Sequence, residues 1–492
     1  MNRVERQPVL WAAALAALMG VSLLLRTSAL DASYWIDEGI AVGIASHDLR
    51  DIPGALGQDG NPPLYYLLLH GWMVLFGTTE AATRALSLVF ALAAIPASFW
   101  AGTRVFTRRA GVLAAAGAAG APFLTYYAQE TRMYSLVVLL SILASASFAL
   151  AFVRGERRHV AWLGVWLALL LYTHTWALFL VTAMGAVWLH LWRRREVEPR
   201  DGVRLAILLA VAYLPWLPVV LFQAEHTAAP WAERPSPLLL LIIPGGLFGH
   251  VALPLLAIAV FFAVRRLPPV DRAVRMLLGV AIGTALLAWL ASQVEPAWAT
   301  RYSAVLMGPL LLALASVVAR GPRWTVLALV GVAGVWAVSG PSGAKSNVRT
   351  VSTTISPSIR PGDLVVSTQP EQVPALHRYL PGGVVYLTPM GLVQDPRQTD
   401  WRDGLARLRG GQALTELLPV IKRLDPGQRV LIVTPEAGGR LSQSPWARAV
   451  RIRTREWRAA LDASARLQPI GGVTTFPSGK NVVRARLYEV RR

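Results

Sequence analysis

Apolar segments recur almost without interruption from Val9 to Val338, separated only by short polar stretches. Most of these segments approach the roughly 20 apolar residues that an α-helix needs to cross the hydrocarbon core of a bilayer. The pattern therefore predicts an α-helical polytopic membrane protein with about 11 transmembrane helices. We place these helices at residues 8–28, 84–105, 110–126, 135–153, 160–175, 177–192, 203–222, 238–264, 276–293, 303–319 and 323–340.

Arginine clusters between the predicted helices indicate which side of the membrane each connecting segment faces. Because cytoplasmic loops carry an excess of Lys and Arg, we assign these clusters to the cytoplasm. They are Arg104/Arg108/Arg109, Arg154/Arg157/Arg158, Arg193/Arg194/Arg195, Arg265/Arg266/Arg272/Arg275 and Arg320/Arg323. The loops at 126–134, 174–176, 223–236 and 293–302 then face outward. An odd number of spans also places the C-terminus outside.

The apolar segment from Pro62 to Phe76 tests this topology, because a crossing there would reverse the orientation of every later loop. The segment is short and begins with two prolines. It also contains Tyr65, Tyr66, His70 and Trp72. Side chains of this kind suit the membrane–water interface, so we predict a helix that lies flat on the outer surface. The result is one long external loop at residues 28–84.

The apolar pattern stops at a linker of small residues, Ser339-Gly340-Pro341-Ser342-Gly343, which indicates a domain boundary. Residues 1–340 are predicted to form the transmembrane domain. Beyond the linker, short β-type runs occur at 364–366, 384–386 and 430–433, and helical spacing occurs at 403–409 and 413–424. This alternation predicts a small soluble α/β domain at 341–492, which the topology places outside the cytoplasm.

Composition agrees with this interpretation, because 54% of the 492 residues are hydrophobic and the mean hydropathy is +0.46. The net charge of +20 does not indicate nucleic-acid binding, since the arginines form short clusters between apolar runs rather than a basic face with interleaved aromatics. The absence of cysteine excludes disulfides, thiol catalysis and cysteine metal sites. We predict an integral protein of the plasma (inner) membrane with no nucleic-acid partner.

Two adjacent carboxylates, Asp37 and Glu38, follow the first predicted helix. Ionisable groups at the rim of a bilayer persist only where they are solvated, paired or used in function. The same outer face also carries polar and aromatic residues that are candidates for the lining of a site. These are Tyr34, Asn61, Tyr65, Tyr127, Gln129, Glu130, Arg132, Tyr134, His174, Arg301 and Tyr302. We therefore predict an active site on this face, with Asp37 as the first candidate for chemistry.

These residue types suit the transfer of a sugar from a lipid-linked phosphate to an acceptor hydroxyl or amine. The anionic leaving phosphate requires fixed positive charge, which Arg132 and Arg301 can supply as bidentate donors. The acceptor must lose a proton, and Asp37 is predicted as its general base, with Glu38 orienting the acceptor or a cation. One base and a good leaving group favour direct displacement with inversion, without the two symmetric carboxylates of a hydrolase.

Several motifs together resemble the family 39-type membrane glycosyltransferases of the C-type (GT-C) superfamily, with protein mannosyltransferases and lipid A aminoarabinose transferases as distant relatives. The motifs are YWIDEG at 34–39, NPPLYYLLLH at 61–70, the FG..E...R stretch at 76–84, YYAQETRMY at 126–134 and the RY pair at 301–302. The resemblance covers about residues 8–320.

This resemblance implies the C-type glycosyltransferase fold, a polyprenyl or dolichyl phosphate-linked donor of a mannose-like hexose or a pentose, and an external active site. It also implies an acidic base in the first external loop, a role that falls on Asp37 with Glu38 as its neighbour. Arg132 and Arg301 match loop positions that would contact the carrier phosphate. The acceptor is expected to be a lipid, a glycan or a protein. Some relatives use a divalent cation, and its ligands here would be Glu38, His70 and His174.

Two other functions fit parts of the pattern. A lipid or solute transporter, including a flippase, would also be mostly apolar, and Pro215, Pro218 and Pro244 interrupt predicted helices as they do in transporters. Transporters nevertheless tend to bury ionisable residues near the midplane, whereas here the charges lie at helix ends on one side. The other alternative is an oligosaccharide ligase, which would transfer a whole glycan. Only the resemblance favours transfer of a single sugar.

Overall fold

A computed structural model describes residues 3–227, 229–265, 271–322, 325–338, 345–436, 442–473 and 481–491. The part up to residue 338 is helical, as the apolar pattern predicts. Its helices are α1 Arg3–Leu25, α2 Ile36–Ala45, α3 Ile52–Asp59, α4 Leu64–Phe76, α5 Glu80–Val105, α6 Arg108–Gly120, α7 Pro122–Tyr127, α8 Tyr134–Phe148, α9 Arg158–Leu171, α10 Ala177–Arg193, α11 Pro199–Tyr213, α12 Leu217–His226, α13 Leu238–Phe248, α14 Leu253–Val264, α15 Arg272–Val294, α16 Met307–Ala319 and α17 Thr325–Val338. A π-helical turn at Ala149–Val153 extends α8, and a 3₁₀ segment at Thr300–Leu306 precedes α16.

Fewer helices are long and apolar enough to cross a membrane than the sequence predicts. Among the described residues, four continuous helical stretches qualify: Glu80–Val105, Tyr134–Val153, Arg272–Val294 and Thr300–Ala319. The pair α11 and α12 bends by 69° and the pair α13 and α14 by 96°, and counting each pair as one span gives six. The prediction of about 11 spans is therefore not confirmed.

Prolines and glycines account for these interruptions. Pro215 lies between α11 and α12, and Pro218 occupies the first turn of α12, where its missing N–H costs no helical hydrogen bond. Gly249 ends α13 with φ of 87°, a conformation that most other residues avoid. The predicted span at 110–126 is likewise divided, because α6 ends at Gly120 and Pro122 begins α7.

The segment that the sequence assigns to the membrane surface forms α4, a helix with two contrasting faces. Tyr65 and Tyr66 are fully buried, and the Tyr65 hydroxyl lies 3.1 Å from the Ser87 hydroxyl on α5. Leu75 and Phe76 near the end of α4 are exposed. The tyrosines therefore pack within the protein, although the sequence assigned them to the interface. The flat orientation on the membrane stays a prediction.

The C-terminal part is an α/β domain, as predicted. Its elements are α18 Val348–Ile355, β1 Leu364–Ser367, α19 Val373–Tyr379, β2 Val385–Thr388, β3 Gly391–Leu392, α20 Gly404–Gly410, α21 Leu418–Lys422, β4 Arg429–Glu436, α22 Pro445–Asp462, β5 Leu467–Val473 and β6 Val482–Val490. The strands form one sheet in the order β3-β2-β1-β4-β6-β5. β1 pairs parallel with β2 and β4, and the outer strands are antiparallel to their neighbours.

Alternate side chains of the sheet enter two apolar layers, because successive residues of a strand point to opposite faces. Val365 and Leu431 belong to the layer that contains α18 and α19. Leu364 and Val430 belong to the layer that contains Trp457 of α22. The sheet is thus covered by helices on both faces, as central parallel strands require. The predicted domain boundary at 340–341 lies outside the described residues, as do Arg266 and Arg323 of the predicted basic clusters.

The C-terminal domain packs directly on α2, the helix that begins at Ile36. Two glycines one turn apart on α2 make this contact possible. A Cβ atom on Gly39 would lie 2.8 Å from the backbone nitrogen of Ala375, and one on Gly43 would overlap the carbonyl oxygen of Arg397. The close approach of backbone to backbone requires residues without side chains at both positions. The α/β domain therefore lies on the same face of the protein as Asp37 and Glu38.

Candidate functional site

Asp37 lies in the first turn of α2, where the extended backbone at Trp35 changes to helix. The free amide groups of a helix N-terminus favour a carboxylate at this position. The Asp37 side chain is 17% exposed, and its Oδ2 lies 3.4 Å from Nη2 of Arg301. Nη1 of Arg132 donates to the Asp37 carbonyl oxygen over 3.3 Å. The structure thus brings together the carboxylate and the two arginines that the sequence singled out.

Glu38 points away from this group and is fully buried against Arg84. The Arg84 guanidinium binds both carboxylate oxygens, Nε to Oε1 and Nη2 to Oε2, each over 2.7 Å. The Thr131 amide also donates to Oε1 over 2.9 Å. Burial by itself would raise the pKa of Glu38, but the charge and hydrogen bonds of Arg84 outweigh it and hold the pKa below its ordinary value. Glu38 therefore uses both carboxylate oxygens for contacts within the protein.

Arg84 organises the loop that leads into α2, a role that the sequence did not reveal. Its Nη1 donates to the carbonyl oxygens of Leu30 and Ala32 over 2.7 and 2.5 Å. A guanidinium offers five N–H donors in a fixed plane, so one side chain can bind the carboxylate and the loop carbonyls together. In the sequence, Arg84 stood out only as the last residue of the FG..E...R stretch at 76–84.

Arg132 and Arg301 each have a buried Nε–H donor that is not used. Among the described residues, the Nε–H of each finds no hydrogen-bond partner, although both atoms are buried. Unpaired buried donors are costly, and two of them beside one carboxylate form a site that an anion would satisfy. Arg301 also lies over aromatic rings, 5.1 Å from the centroid of Trp231 and 5.9 Å from that of Trp35. Positive charge in this pocket is therefore both fixed and partly dehydrated.

Aromatic side chains surround the two arginines. Ring centroids lie 4.7 Å apart for Tyr127 and Tyr134, and 4.8 Å apart for His174 and Tyr302. Burial, with the charges of Arg132 and Arg301, lowers the pKa of His174 to about 3, so the imidazole is neutral. Its Nδ1 accepts from the Trp176 amide over 3.1 Å, which leaves the proton on Nε2. His174 is thus a neutral donor in the pocket wall.

Other residues that the sequence assigned to the pocket use their polar atoms within the protein. The Tyr34 hydroxyl lies 2.7 Å from that of Thr83, and Oε1 of Gln129 accepts from the Ala29 amide over 2.8 Å. Glu130 binds Lys345 of the C-terminal part, Nζ to Oε1 over 2.9 Å. Burial raises the pKa of Glu130 above its ordinary value despite this partner. Lys345 gave no sequence signal, because it lies beside the linker.

Asn61 enters the site through a second carboxylate, Asp59. Nδ2 of Asn61 donates to Oδ2 of Asp59 over 2.5 Å. Burial raises the pKa of Asp59 to about 6; the bond from Asn61 and the charge of Arg132 oppose this rise, and the charge of Asp37 adds to it. Asp59 therefore lies within the electrostatic range of the Asp37 and Arg132 pair. Asp59 belongs to the predicted external loop at residues 28–84, and the structure brings its carboxyl group into the site.

The three predicted metal ligands, Glu38, His70 and His174, each have other partners in the structure. Glu38 is bound by Arg84, Nδ1 of His70 pairs with the Ala45 carbonyl oxygen over 3.0 Å, and His174 packs among tyrosines. Within the part of the chain that the structure describes, no group of three or more His, Asp or Glu side chains has the arrangement of a metal site. These residues do not fit a cation, and its participation stays a prediction.

Solved structures of membrane glycosyltransferases share this architecture. ArnT from Cupriavidus metallidurans bound to undecaprenyl phosphate matches with a TM-score of 0.58 and 13% identity, over 96% of this chain and 97% of that chain. The oligosaccharyltransferase of Archaeoglobus fulgidus in its apo form matches with a TM-score of 0.55 and 12% identity, over 86% of this chain and 69% of that chain. Arabinofuranosyltransferase AftD from Mycobacteria matches with a TM-score of 0.54 and 15% identity, over 98% of this chain and 41% of that chain.

No protein-family model and no curated protein sequence matches the chain. The structural matches show that the chain has the GT-C fold of polytopic membrane glycosyltransferases, which confirms the fold expected from the sequence motifs. At identities of 12–15% they define the fold, and the reaction must be argued from the site.

We expect Arg84→Met to destabilise the protein by about 3–5 kcal/mol, because it leaves the Glu38 carboxylate buried without its partner. Replacing both Glu38 and Arg84 by Met should recover part of the loss, since no buried charge then remains. Thermal unfolding in detergent measures the difference. Arg104→Met is the matched control, because the Arg104–Glu156 pair is 41% and 32% exposed and should contribute little. Equal losses for Arg84→Met and Arg104→Met would contradict a stabilising role of the buried pair.

The raised pKa of Asp59 predicts a pH-dependent cost to stability. The protonated carboxyl of Asp59 is compatible with burial, whereas the charged carboxylate is not. The folded protein therefore loses stability as the pH rises from the pKa of Asp in the unfolded chain, near 4, to the pKa of about 6 in the folded protein. Asp59→Asn removes this titration and retains an oxygen for Asn61. We expect the variant to be more stable than the wild type by up to about 3 kcal/mol at pH 7.5, with the advantage shrinking towards pH 4.5. The same stability difference at both pH values would show that folding does not raise the pKa of Asp59.

Proposed function

We propose that the chain is a membrane glycosyltransferase that moves a single sugar from a polyprenyl-phosphate donor to an acceptor hydroxyl or amine. The observation that carries this proposal is the group formed by Asp37, Arg132 and Arg301, in which a partly exposed carboxylate lies beside two guanidinium groups with unused donors. A GT-C structure of similar extent, that of ArnT, is bound to undecaprenyl phosphate, which supports the same class of donor here.

In the proposed reaction, Arg132 and Arg301 bind the phosphate of the donor. Negative charge develops on this phosphate as the bond between the sugar carbon and the phosphate oxygen breaks, and the bond electrons remain on that oxygen. Fixed donors in a dehydrated pocket stabilise such charge without reorganisation. The free Nε–H of each guanidinium, together with an Nη–H, offers the paired geometry that phosphate oxygens accept.

Asp37 is the proposed general base. The acceptor oxygen or nitrogen attacks the sugar carbon from the side opposite the phosphate, and its proton passes to Asp37, so the configuration inverts. The 3.4 Å contact with Arg301 puts this carboxylate beside the proposed phosphate site. A phosphate that binds Arg301 would compete with Asp37 for the guanidinium.

Glu38 has a structural role in this proposal. Its complete pairing with Arg84 and Thr131 fixes the start of α2, so the adjacent Asp37 is held at the opening. The neutral His174 and the ring of Tyr302 form part of the wall near Arg301. The donor sugar is proposed to be a hexose or a pentose, and the acceptor a lipid, a glycan or a protein. We propose that the reaction takes place on the outer face of the inner membrane, because the arginine clusters are typical of cytoplasmic loops.

Asp37→Asn tests the proposal directly. The amide keeps the shape of the side chain and cannot accept the proton, so we expect turnover to fall by at least about 100-fold, the usual contribution of a positioned base. Transfer is measured with a panel of radiolabelled polyprenyl-phosphate sugars and membranes that supply the acceptor. Binding of the same donors should persist, because the two arginines remain.

Asp31→Asn is the matched control, since Asp31 is an exposed carboxylate in the same loop. It should transfer sugar at the rate of the wild type. The base assignment is wrong if Asp37→Asn turns over normally at saturating donor while Glu38→Gln, in folded protein, does not. If both variants are active, a carboxylate base has no part in the reaction. A transporter would show no transfer in any form of the protein.

A further inference from the structure

A cavity of about 350 Å³ lies where the C-terminal domain meets Gln58, near the end of α3. We call it the domain cavity. Its wall runs from Thr388 at the end of β2, through the polar loop 394–402, to Gln58 near the end of α3. None of these residues takes part in the proposed reaction.

The position of the domain cavity in the sheet is one that α/β proteins use for ligands. β1 and β2 are parallel neighbours, and Pro370 and Thr388, which follow or end these strands, both line the cavity. Crevices at the carboxyl ends of parallel strands are the usual binding sites of open α/β sheets. The opposite wall is supplied by α3 of the membrane domain.

Two turns of the same design form the polar loop. In each turn, the carboxylate of an aspartate accepts three hydrogen bonds from the arginine two residues later. The donors are the backbone N–H, Nε and Nη2 of that arginine. The pairs are Asp395 with Arg397 and Asp400 with Arg402, at distances of 2.8 to 3.1 Å. Arg407 also donates to Asp400 over 2.9 Å. The acids of the cavity are thus paired with cations, which disfavours a metal ion or a phosphate as its ligand and favours a neutral polar one.

Unused hydrogen-bonding groups line the same space. Thr399 is 3% exposed, and its hydroxyl finds no partner among the residues described. Oε1 of Gln398 is also buried and unpaired there, while its Nε2 donates to Oε1 of Gln58 over 3.3 Å. Buried polar atoms are nearly always paired, so these groups point to a ligand that brings its own hydroxyl groups.

The domain cavity adjoins the candidate active site through α3. The Trp401 amide donates to the carbonyl oxygen of Gln58 over 3.0 Å, and the next residue, Asp59, interacts electrostatically with Asp37 and Arg132. A chain of sugar units held in the cavity would therefore be separated from the proposed base by the C-terminal end of α3. The apolar side chains of Met390 and Val393 in the same wall can contact the C–H faces of sugar rings.

We propose that the domain cavity binds a neutral sugar unit of a glycan acceptor, at a distance from the hydroxyl that is glycosylated. This inference rests on the proposed function, and it names the substrate class for the same enzyme. Thr399 and Gln398 would supply hydrogen bonds to sugar hydroxyls, and the two aspartate–arginine turns would hold the loop in shape. The C-terminal domain would then select the acceptor, while the membrane domain carries out the transfer.

The test is direct binding of the full-length protein in detergent to an array of neutral and anionic oligosaccharides. We expect at least one neutral oligosaccharide to bind, and Thr399→Val combined with Gln398→Leu to weaken that binding at least tenfold. Thr354→Val, at an exposed threonine on α18, is the matched control and should bind as the wild type does. Thermal unfolding of each variant confirms that it is folded, and Thr399→Val alone serves if the double variant is not.

Asp37→Asn separates this inference from the proposed function. It should bind the oligosaccharide as the wild type does while losing transfer, because the domain cavity does not contain Asp37. Binding without transfer in the wild-type protein would overturn the proposed function and leave the sugar site standing. The sugar site itself is overturned if no neutral oligosaccharide binds, if only anionic ones bind, or if the Thr399 and Gln398 substitutions leave binding unchanged.

Discussion

The buried ion pair between Glu38 and Arg84 is the interaction on which the site depends. An isolated charge in this position would be very costly, and the pair is tolerated because Arg84 meets both carboxylate oxygens while the Thr131 amide adds a third bond. The same guanidinium holds the loop carbonyls before α2. The direction of the first helical turn is thereby fixed, and the preceding residue, Asp37, is held beside Arg301.

Adjacent carboxylates acquire different roles through their neighbours. Glu38 is bound on both carboxylate oxygens by Arg84, whereas Asp37 has a single looser contact with Arg301. In the proposed reaction, a phosphate on Arg301 would compete with Asp37 for this guanidinium. The C-terminal domain also holds α2 in place, because its backbone at Ala375 and Arg397 packs closely against Gly39 and Gly43. The contacts that position α2 are thus different from the contact between Asp37 and Arg301.

The sequence predicted the helical membrane fold, the α/β domain and the grouping of Asp37, Arg132 and Arg301, because apolar length, periodicity and loop position depend on local residues. It failed where long-range packing decides. Prolines and glycines divide predicted spans into bent pieces, and the pairing of Arg84 with Glu38 joins residues 46 positions apart. Lys345 offered no pattern at all, since its partner Glu130 lies 215 positions earlier. Composition near a linker carries no information about such a contact.

A structure of the protein bound to undecaprenyl phosphate would show whether Arg132 and Arg301 bind the phosphate of the donor. We expect phosphate oxygens within hydrogen-bonding distance of both arginines, with the Arg301–Asp37 contact longer than its present 3.4 Å. The carboxylate of Glu38 should remain bound to Arg84. A phosphate bound elsewhere, with neither arginine among its partners and the Asp37–Arg301 contact unchanged, would contradict the proposed donor site.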